Sequence, residues 1–493
     1  MQKVRSQQLH FVFADNTERM VDGQTRATGV PAAKEWLSRI AKGKELKEMT
    51  DQTILEGMGL LEQVATMRNL AMALRQVVRN KGAAGVDGQS VEEVVKNVRS
   101  LLPKLRHELL KGTYQPGDVR RVWIPKPDGG QRGLGIPNVM DRWVQQAVFQ
   151  ILEPIWEPTF HRSSHGFRPN RGAQTAIAQA SKYVAEGCET VVDFDLSKFF
   201  DRVNHQRLLG RLSQRVKDGR ILKLIHQMLK AKVVMPEGTR INVEEGTPQG
   251  GPLSPILSNI VLDELDKELE RRGLRFVRYA DDCNIYVGSK RAGDRVMSSI
   301  RRFIEGKLRL KVNEEKSCVT RSDQMHFLGF RLNKGPEGRV EVQLSERSRE
   351  RMNTKIREFT PRSWGQSLQA CMEQLNKYLR GWGAYFRLCT QEEAYYFRKY
   401  DAHIRRRLRA IVIRQKKRPR FLLRHLLKCK VPREMAEATA YSQKGIWRRS
   451  ISHGIHRAYS NGWFRERLVV LEDLLMPKSI LVPVLSQQLL LFG

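Results

Sequence analysis

Apolar residues recur along this chain in different rhythms, and each rhythm predicts a different kind of element. Over 60–78 they fall at helical spacing, with Leu60, Leu61, Val64, Met67, Leu70, Met72 and Leu74, so one face of a helix is expected to be buried. The glycine-punctuated stretch 80–88 breaks that helix. Ser90 is placed to cap a second helical stretch reaching about Leu110, in which Pro103 predicts a kink or a split. Residues 119–124 and 133–136 read as short strands around the turn 125–132. Further helices are expected from Asp141 to Leu152, over 173–184, in segments across 205–232, and over 256–269 and 291–308. Strands are expected at 191–196, on both sides of residues 280–282, and at 327–332. Near the N-terminus 7–13 reads as a short strand and 32–41 as a helix. After Ser345, a further N-cap, the pattern is helical almost throughout.

Composition narrows the partners. Lys plus Arg number 87 against 53 Asp plus Glu, a formal net charge of +34, and the excess is spread along the 493 residues rather than gathered in a tail. Such a field favours a polyanion, and nucleic acid is the default candidate. No apolar run approaches the ~20 residues of a membrane-spanning helix, so no membrane partner is expected. The first residues lack the apolar core of a secretory signal, and six cysteines are scattered without a C-x-x-C pair. Neither a disulfide framework nor a zinc site fits, and a reducing, cytoplasmic location is expected.

The stretch with most chemistry is 276–287, where apolar strand formers flank Asp281 and Asp282. Adjacent carboxylates at a hairpin tip repel, and a divalent ion between them is the usual remedy, although Asp is also a plain turn residue. In 191–196 the pleat puts Asp193 and Asp195 on one face. If that strand neighbours the hairpin, Asp195, Asp281 and Asp282 converge, and such a cluster binds two Mg²⁺ ions ~3.5–4 Å apart. Lys126 and Arg132, on the 125–132 turn, would suit the phosphates of a nucleotide, though the piece alone reads more readily as an ordinary basic loop. Carboxylates with a triphosphate cradle mean nucleotidyl transfer; a nuclease or phosphatase needs no such cradle. The densest basic run is Arg405, Arg406, Arg407, Arg409, Arg414, Lys416, Lys417, Arg418 and Arg420, which with its aromatic neighbours reads as a nucleic-acid contact rather than a solvated face.

Eight blocks in order then carry a family resemblance: NKGAAGVDG (80–88), IPKPDGGQRGLGIP (124–137), HGFRPNRGAQTA (165–176), DLSKFFDRVNH (195–205), GTPQGGPLSPILSN (246–259), RYADD (278–282), LKVNEEKS (310–317) and FLGF (327–330). The chain resembles a group II intron-encoded reverse transcriptase–maturase over about 57–475, and LNKYLRGWGAYF (375–386) and KGIWRRSISHGIHRAYSNGWF (444–464) resemble its maturase part. The resemblance implies an α+β right-hand polymerase. Its parts are an N-terminal extension (1–56), fingers (57–190), palm (191–335), thumb or maturase helices (345–410) and a basic C-terminal region (411–493).

It further implies that Asp195, Asp281 and Asp282, with the Leu196 carbonyl, hold two Mg²⁺ ions, which Mn²⁺ can replace. Lys126 and Arg132 match residues on the triphosphate, and Phe200 the ring that bars a 2′-OH. Gln249 matches a residue near the nucleotide, Lys316 a general acid, and residues 327–330 the primer grip. Asp193 is not a ligand in the family. Arg168, Arg171, Arg405, Arg406, Arg409, Lys416 and Lys417 are expected on nucleic acid. Implied partners are a structured intron RNA as template, a DNA or RNA primer, dNTPs and a DNA target, with a homodimer left open. Ala84 and Gly133 stand where the family commonly has proline. No Cys/His cluster or H-N-H-like block follows about residue 475, which resembles the endonuclease-lacking branch and implies priming from a pre-existing end. The leading reading is thus a polymerase that also binds its intron RNA and assists splicing. The alternatives are a free-standing relative that repairs DNA ends and a splicing-only maturase.

Overall fold

The computed structural model describes residues 30–41, 58–125, 129–335, 338–361, 363 and 365–475. The strand expected at 7–13 and the turn residue Lys126 lie outside them. The chain divides into two compact units, Met1–Ala176 with Val192–Val319, and Ile177–Val191 with Thr320–Gly493.

Helices α1 (Val30–Ala41), α2 (Leu60–Val64), α3 (Met67–Asn80), α4 (Val91–Lys96) and α5 (Val98–Lys111) open the first unit. The expected helix at 60–78 is two helices, because the Thr66 side chain accepts from the Asn69 N–H and starts α3 afresh. Ser90 and Glu93 form a reciprocal capping box on α4. The split expected at Pro103 falls instead at Asn97, the N-cap position of α5, and Pro103 is carried inside that helix at the loss of one intrahelical bond.

Strands β1 (Val119–Pro125) and β2 (Gln131–Ile136) pair antiparallel from Arg120↔Ile136 to Pro125↔Gln131. Then follow α6 (Val139–Trp156), α7 (Ala173–Ala185), β3 (Thr190–Phe194), α8 (His205–Ser213), α9 (Gly219–Leu229), β4 (Val233–Val234), β5 (Arg240–Ile241) and α10 (Ser254–Arg271). Next come β6 (Arg275–Tyr279), β7 (Asp282–Val287), α11 (Lys290–Phe303) with a π-helical turn at Ile304–Leu308, and β8 (Cys318–Arg321). The short strands β4 and β5 escaped the sequence reading because two residues are too few to show alternation. One sheet runs β2-β1-β4-β5 and the other β6-β7-β3-β8.

A single core runs through this unit from Ala33 to Val312, with Trp143, Trp156, Phe194 and Phe276 among its largest members. In the second sheet Val192, Phe194, Phe276, Cys283, Ile285 and Val287 join that core. By the pleat, Asp193, Asp282 and Asn284 take the opposite face.

The second unit holds a hairpin of β9 (Phe330–Lys334) and β10 (Val340–Leu344) and the helices α12 (Glu346–Phe359), α13 (Leu368–Phe386), α14 (Ala394–Gln415), α15 (Pro419–Lys428) and α16 (Arg433–Ala440), followed by short helical turns. Ser345 caps α12 as expected. Residues 327–329 are not strand: Leu328 and Gly329 both have positive φ, and a reversal pairs Phe327 with Phe330. The Leu328 carbonyl accepts from Tyr385 and the Gly329 carbonyl from Ser348 and the Ser345 N–H, which bind the reversal to α12 and α13. The apolar centre of the helices is aromatic, with Trp382 4.7 Å from Phe386 and 5.3 Å from Phe397 between ring centroids.

Candidate active site

The sheet order places β7 beside β3, so the strand ending near Asp195 adjoins the hairpin that carries Asp281 and Asp282. The pairing Tyr279↔Asp282 leaves a two-residue loop, Ala280-Asp281. Ala280 has φ +59° and Asp281 is not among the positive-φ residues, the signature of a type II′ turn. That turn prefers glycine at its first position, and alanine there costs roughly 1–2 kcal/mol. The surroundings hold it nevertheless. Gly166 lies against it so closely that a Cβ on Gly166 would sit 2.3 Å from the Ala280 nitrogen.

Arg278, fully buried one strand pair behind the tip, donates to the Ala280 carbonyl at 2.8 Å and forms a bidentate pair with Asp266 on α10 (2.7 and 2.6 Å). Asp195 is held from the other side. The Asn313 amide donates to its Oδ2 at 2.8 Å, the Asn313 N–H bonds its carbonyl at 2.8 Å, and its own N–H donates to Ser317 Oγ at 3.1 Å. Leu196 is buried and bridges Val312.

The carboxylates feel one another. Burial holds the Asp281 carboxyl above the usual range, with Asp195 adding to the rise and Arg132 and Arg278 opposing it. Asp282 is pushed up to about 7, by burial first and then by Asp281, Asp193 and Asp195. Solvent reaches the Asp282 side chain although protein atoms surround it, as at the floor of an open cleft. Asn284, on the same face of β7, is fully buried and neither end of its amide has a hydrogen-bond partner.

Among the described residues no three His, Cys, Asp or Glu side chains stand close enough to chelate an ion as they are. The donors, all negatively charged oxygen, nevertheless fit a hard divalent cation in chemistry and charge. One oxygen of Asp195 is taken by Asn313, so the carboxylates converge in field rather than in finished ligand geometry.

Around them, Phe200 is half-buried with its ring edge-on to Phe199, and its carbonyl accepts from the Thr247 N–H at 2.6 Å. Gly246 (φ +95°) makes that approach feasible, since a Cβ there would meet the Phe200 oxygen at 2.8 Å. The Gln249 carbonyl accepts from the Gly135 N–H at 2.8 Å, tying its loop to β2. Arg132 is exposed and its charge is felt at both Asp281 and Asp282, whereas Lys316 is exposed on the 313–317 turn.

Two of the arginines expected on nucleic acid are buried. Arg168 is buried, forked onto Glu157 and bonded to the His161 and Ser164 carbonyls, so it braces its own loop. Arg409 is buried and spends its guanidinium on the Tyr459 carbonyl, His456 and Asn461. Arg171 is half-buried and donates to the Arg162 carbonyl. Arg405 and Arg406 are half-buried, the latter stacked 4.0 Å over Trp447, while Lys416 is half-buried and Lys417 exposed.

Residues 124–332 match the reverse transcriptase (RNA-dependent DNA polymerase) family, and 349–429 match the group II intron maturase-specific domain. Protein YkfC of Escherichia coli (strain K12) is 36% identical over a stretch covering 55% of this chain and 82% of YkfC. The chain belongs to the group II intron reverse transcriptase–maturase family. The group II intron-encoded protein LtrA of Lactococcus lactis subsp. cremoris is 32% identical, the match covering 52% of this chain and 54% of LtrA, so the chain spans about half the length of that relative. The family is one of RNA-directed DNA polymerases with an α+β fold, and a general dependence on divalent metal comes with it.

Residues that the sequence reading passed over do much of the positioning here: Gly166, Ser164, Asn259, Asp266, Arg278, Asn313 and Ser317. One signal was visible. Asn259 and Asp266 are seven apart in the helix expected over 256–269, and so two polar side chains share one of its faces.

Two outcomes are expected. Replacing Gly166 by alanine should push the Ala280-Asp281 turn aside, lowering nucleotide incorporation by about 100-fold while the protein still folds, as circular dichroism and a primer-extension assay would show. Because the Asp282 pKa is raised in the fold, the folded protein holds more protons than the unfolded chain between the ordinary carboxylate range and about 7, so this group's contribution weakens stability as pH rises through that window. Asp282→Asn should therefore raise the melting temperature of metal-free protein at pH 8 and leave it nearly unchanged near pH 4. An equal shift at both values would contradict this.

Proposed function

We propose that this chain extends a primer 3′-OH with deoxynucleotides on an RNA template, using Asp195, Asp281 and Asp282, and that its maturase-like part binds the intron RNA whose splicing it assists. The observation that carries the catalytic half is the adjacency of β3 and β7, which brings Asp195 close enough to add to the raised pKa of both Asp281 and Asp282. Asp195, Asp281 and Asp282, with the Leu196 carbonyl, would hold two Mg²⁺ ions, which when bound would acidify the primer hydroxyl and neutralise charge on the transferring phosphoryl group.

The remaining work falls to the chain. Arg132, already felt by the carboxylates, draws the triphosphate to the same side, with Lys126 as its expected companion. Phe200, anchored through its carbonyl to the 246–247 backbone, holds its ring rigidly enough to bar a 2′-OH. The Gln249 loop moves with β2, so the incoming base and its triphosphate are gripped by one connected piece. Lys316 stands on the turn whose Asn313 orients Asp195, a position from which it can give a proton to pyrophosphate. The exposed cations of the second unit, Arg414, Lys417, Arg418 and Arg420, suit the phosphates of RNA and of the template–primer duplex.

The test is Asp281→Asn. It should cut dNTP incorporation by at least about 1,000-fold while binding of the intron RNA stays within about twofold. Incorporation at a near-normal rate would sink the proposal. For the second unit, changing Arg414, Lys417, Arg418 and Arg420 together to Gln should flatten the log–log dependence of RNA affinity on salt by about 3 units. Arg409→Ala should instead lower the melting temperature and leave that slope alone.

A further inference from the structure

We propose that Arg278 is a positioning residue for the catalytic turn: its buried guanidinium ties the Ala280 carbonyl to Ser164, Asn259 and Asp266, and thereby sets where Asp281 and Asp282 stand. This rests on the polymerase reading given above.

The side chain is fully buried, and each of its five N–H groups has a partner. Nε donates to Asp266 Oδ1 at 2.7 Å. Nη1 donates to Asn259 Oδ1 at 3.0 Å and to the Ala280 carbonyl at 2.8 Å. Nη2 donates to Ser164 Oγ at 2.8 Å and to Asp266 Oδ2 at 2.6 Å. The Arg278 main chain joins the same loop, its N–H bonding the Ser163 carbonyl and its carbonyl accepting from the His165 N–H, both at 2.8 Å. Asn259 closes the ring by donating to the Gly166 carbonyl at 2.9 Å. A loop distant in sequence, 163–166, is thus locked together with the neighbouring elements α10 and β6 to one carbonyl, the one directly before Asp281.

A core clamp alone would not call for this arrangement. A buried ion pair is on average no better for stability than well-packed apolar residues, because desolvation offsets the attraction. What apolar side chains cannot do is fix the direction of a carbonyl in a turn whose first residue is alanine in left-handed backbone. The planar fork does that, and it does so from one side chain that reaches four separate partners at once. Lysine keeps the charge opposite Asp266 but offers three donors from a single point, too few and too narrowly placed to reproduce the set.

The experiment compares wild type, Arg278→Lys, Ser164→Ala, Ala280→Gly and the double variant Arg278→Lys/Ala280→Gly in the full chain. The probe is Mn²⁺, with binding measured by electron paramagnetic resonance in the absence of nucleic acid and assigned to the triad by its loss in Asp281→Asn. Primer-extension kcat, KM and template–primer affinity are read alongside.

Arg278→Lys should weaken Mn²⁺ binding about tenfold and lower kcat while template–primer affinity holds. Ala280→Gly, which takes up the turn without help, should restore at least threefold of the Mn²⁺ affinity to the lysine variant. Ser164→Ala removes one of the five bonds and leaves the ion pair, so it should fold in any event and bind Mn²⁺ about threefold more weakly. Folded Arg278→Lys or Ser164→Ala protein with wild-type Mn²⁺ affinity would overturn the positioning role, as would failure of the glycine to restore anything. Wild type that binds no Mn²⁺ at the triad would overturn the polymerase reading itself, and this proposal with it.

Discussion

Carboxylates crowded on one site resist being there, and the first unit is organised to keep them in place. Two unit charges about 4 Å apart repel by roughly 4 kcal/mol at the effective dielectric of a protein surface, so an unrestrained tip would splay its side chains and slide its turn. The chain answers with backbone restraint more than with countercharge. Asp195 is fixed through both main-chain groups and one carboxylate oxygen by the 313–317 segment. Asp281 and Asp282 are fixed through the carbonyl before them, by a guanidinium that is itself saturated. Countercharge is either distant or already committed: Arg132 is felt by both aspartates but sits on another sheet, and Arg278 is paired with Asp266. An arginine paired directly with the acids would lower the repulsion and also take the place that the proposed function gives to a metal ion.

That arrangement also links the two sheets of the first unit. The Gln249 carbonyl receives the Gly135 N–H, and a Cβ on Gly250 would lie 2.6 Å from the Gly135 oxygen, so the 246–251 loop and β2 touch backbone to backbone. The opposite end of the same loop lies against Phe200 and Val203. In the proposed function, a triphosphate seated on the β1–β2 hairpin would be felt at Phe200 through this short backbone path.

Much of this was legible because chemistry that depends on residue type leaves its types in the sequence. Asp195, Asp281 and Asp282 stood out as charges in apolar strands, and Arg132 as a cation on a hairpin. The convergence of the acids needed only that β3 lie beside β7. The supports were harder to see, since Gly166, Ser164 and Asn313 act on partners more than a hundred residues away, and no local pattern states that role. Arg278 stood inside RYADD without a role, because an arginine in so basic a chain carries no sign of burial. The strand expected at 327–332 begins only at Phe330, because Phe-Leu-Gly-Phe has strand composition while tertiary bonds to Tyr385 and Ser348 bend 327–329 into a reversal. Pro103 misled because the break falls at Asn97, where one helix ends and the next begins, and the proline is tolerated inside the second.

Arg168 and Arg409 show why a count of cations overstates a binding surface. An α-helix turns about 100° per residue, so the positions 405, 406, 407 and 409 spread over about 200° of its circumference and cannot all face the same partner. Leu408 and Ile404 set the inward side, and Arg409 follows Leu408 into the interior, where its five donors find a carbonyl, a histidine and an amide instead of a phosphate. Arg407 is turned to Thr360. Arg406 lies flat on Trp447, which fixes a cation at a half-exposed position and keeps one guanidinium face desolvated. Past Ile413 the helix runs out of core, and Arg414, Lys417, Arg418 and Arg420 are all exposed. They cluster at the C-terminal end of α14 and the start of α15, where the helix dipole favours cations on the first and disfavours them on the second. The phosphate contacts proposed above would offset the small cost of holding Arg418 and Arg420 against that second dipole.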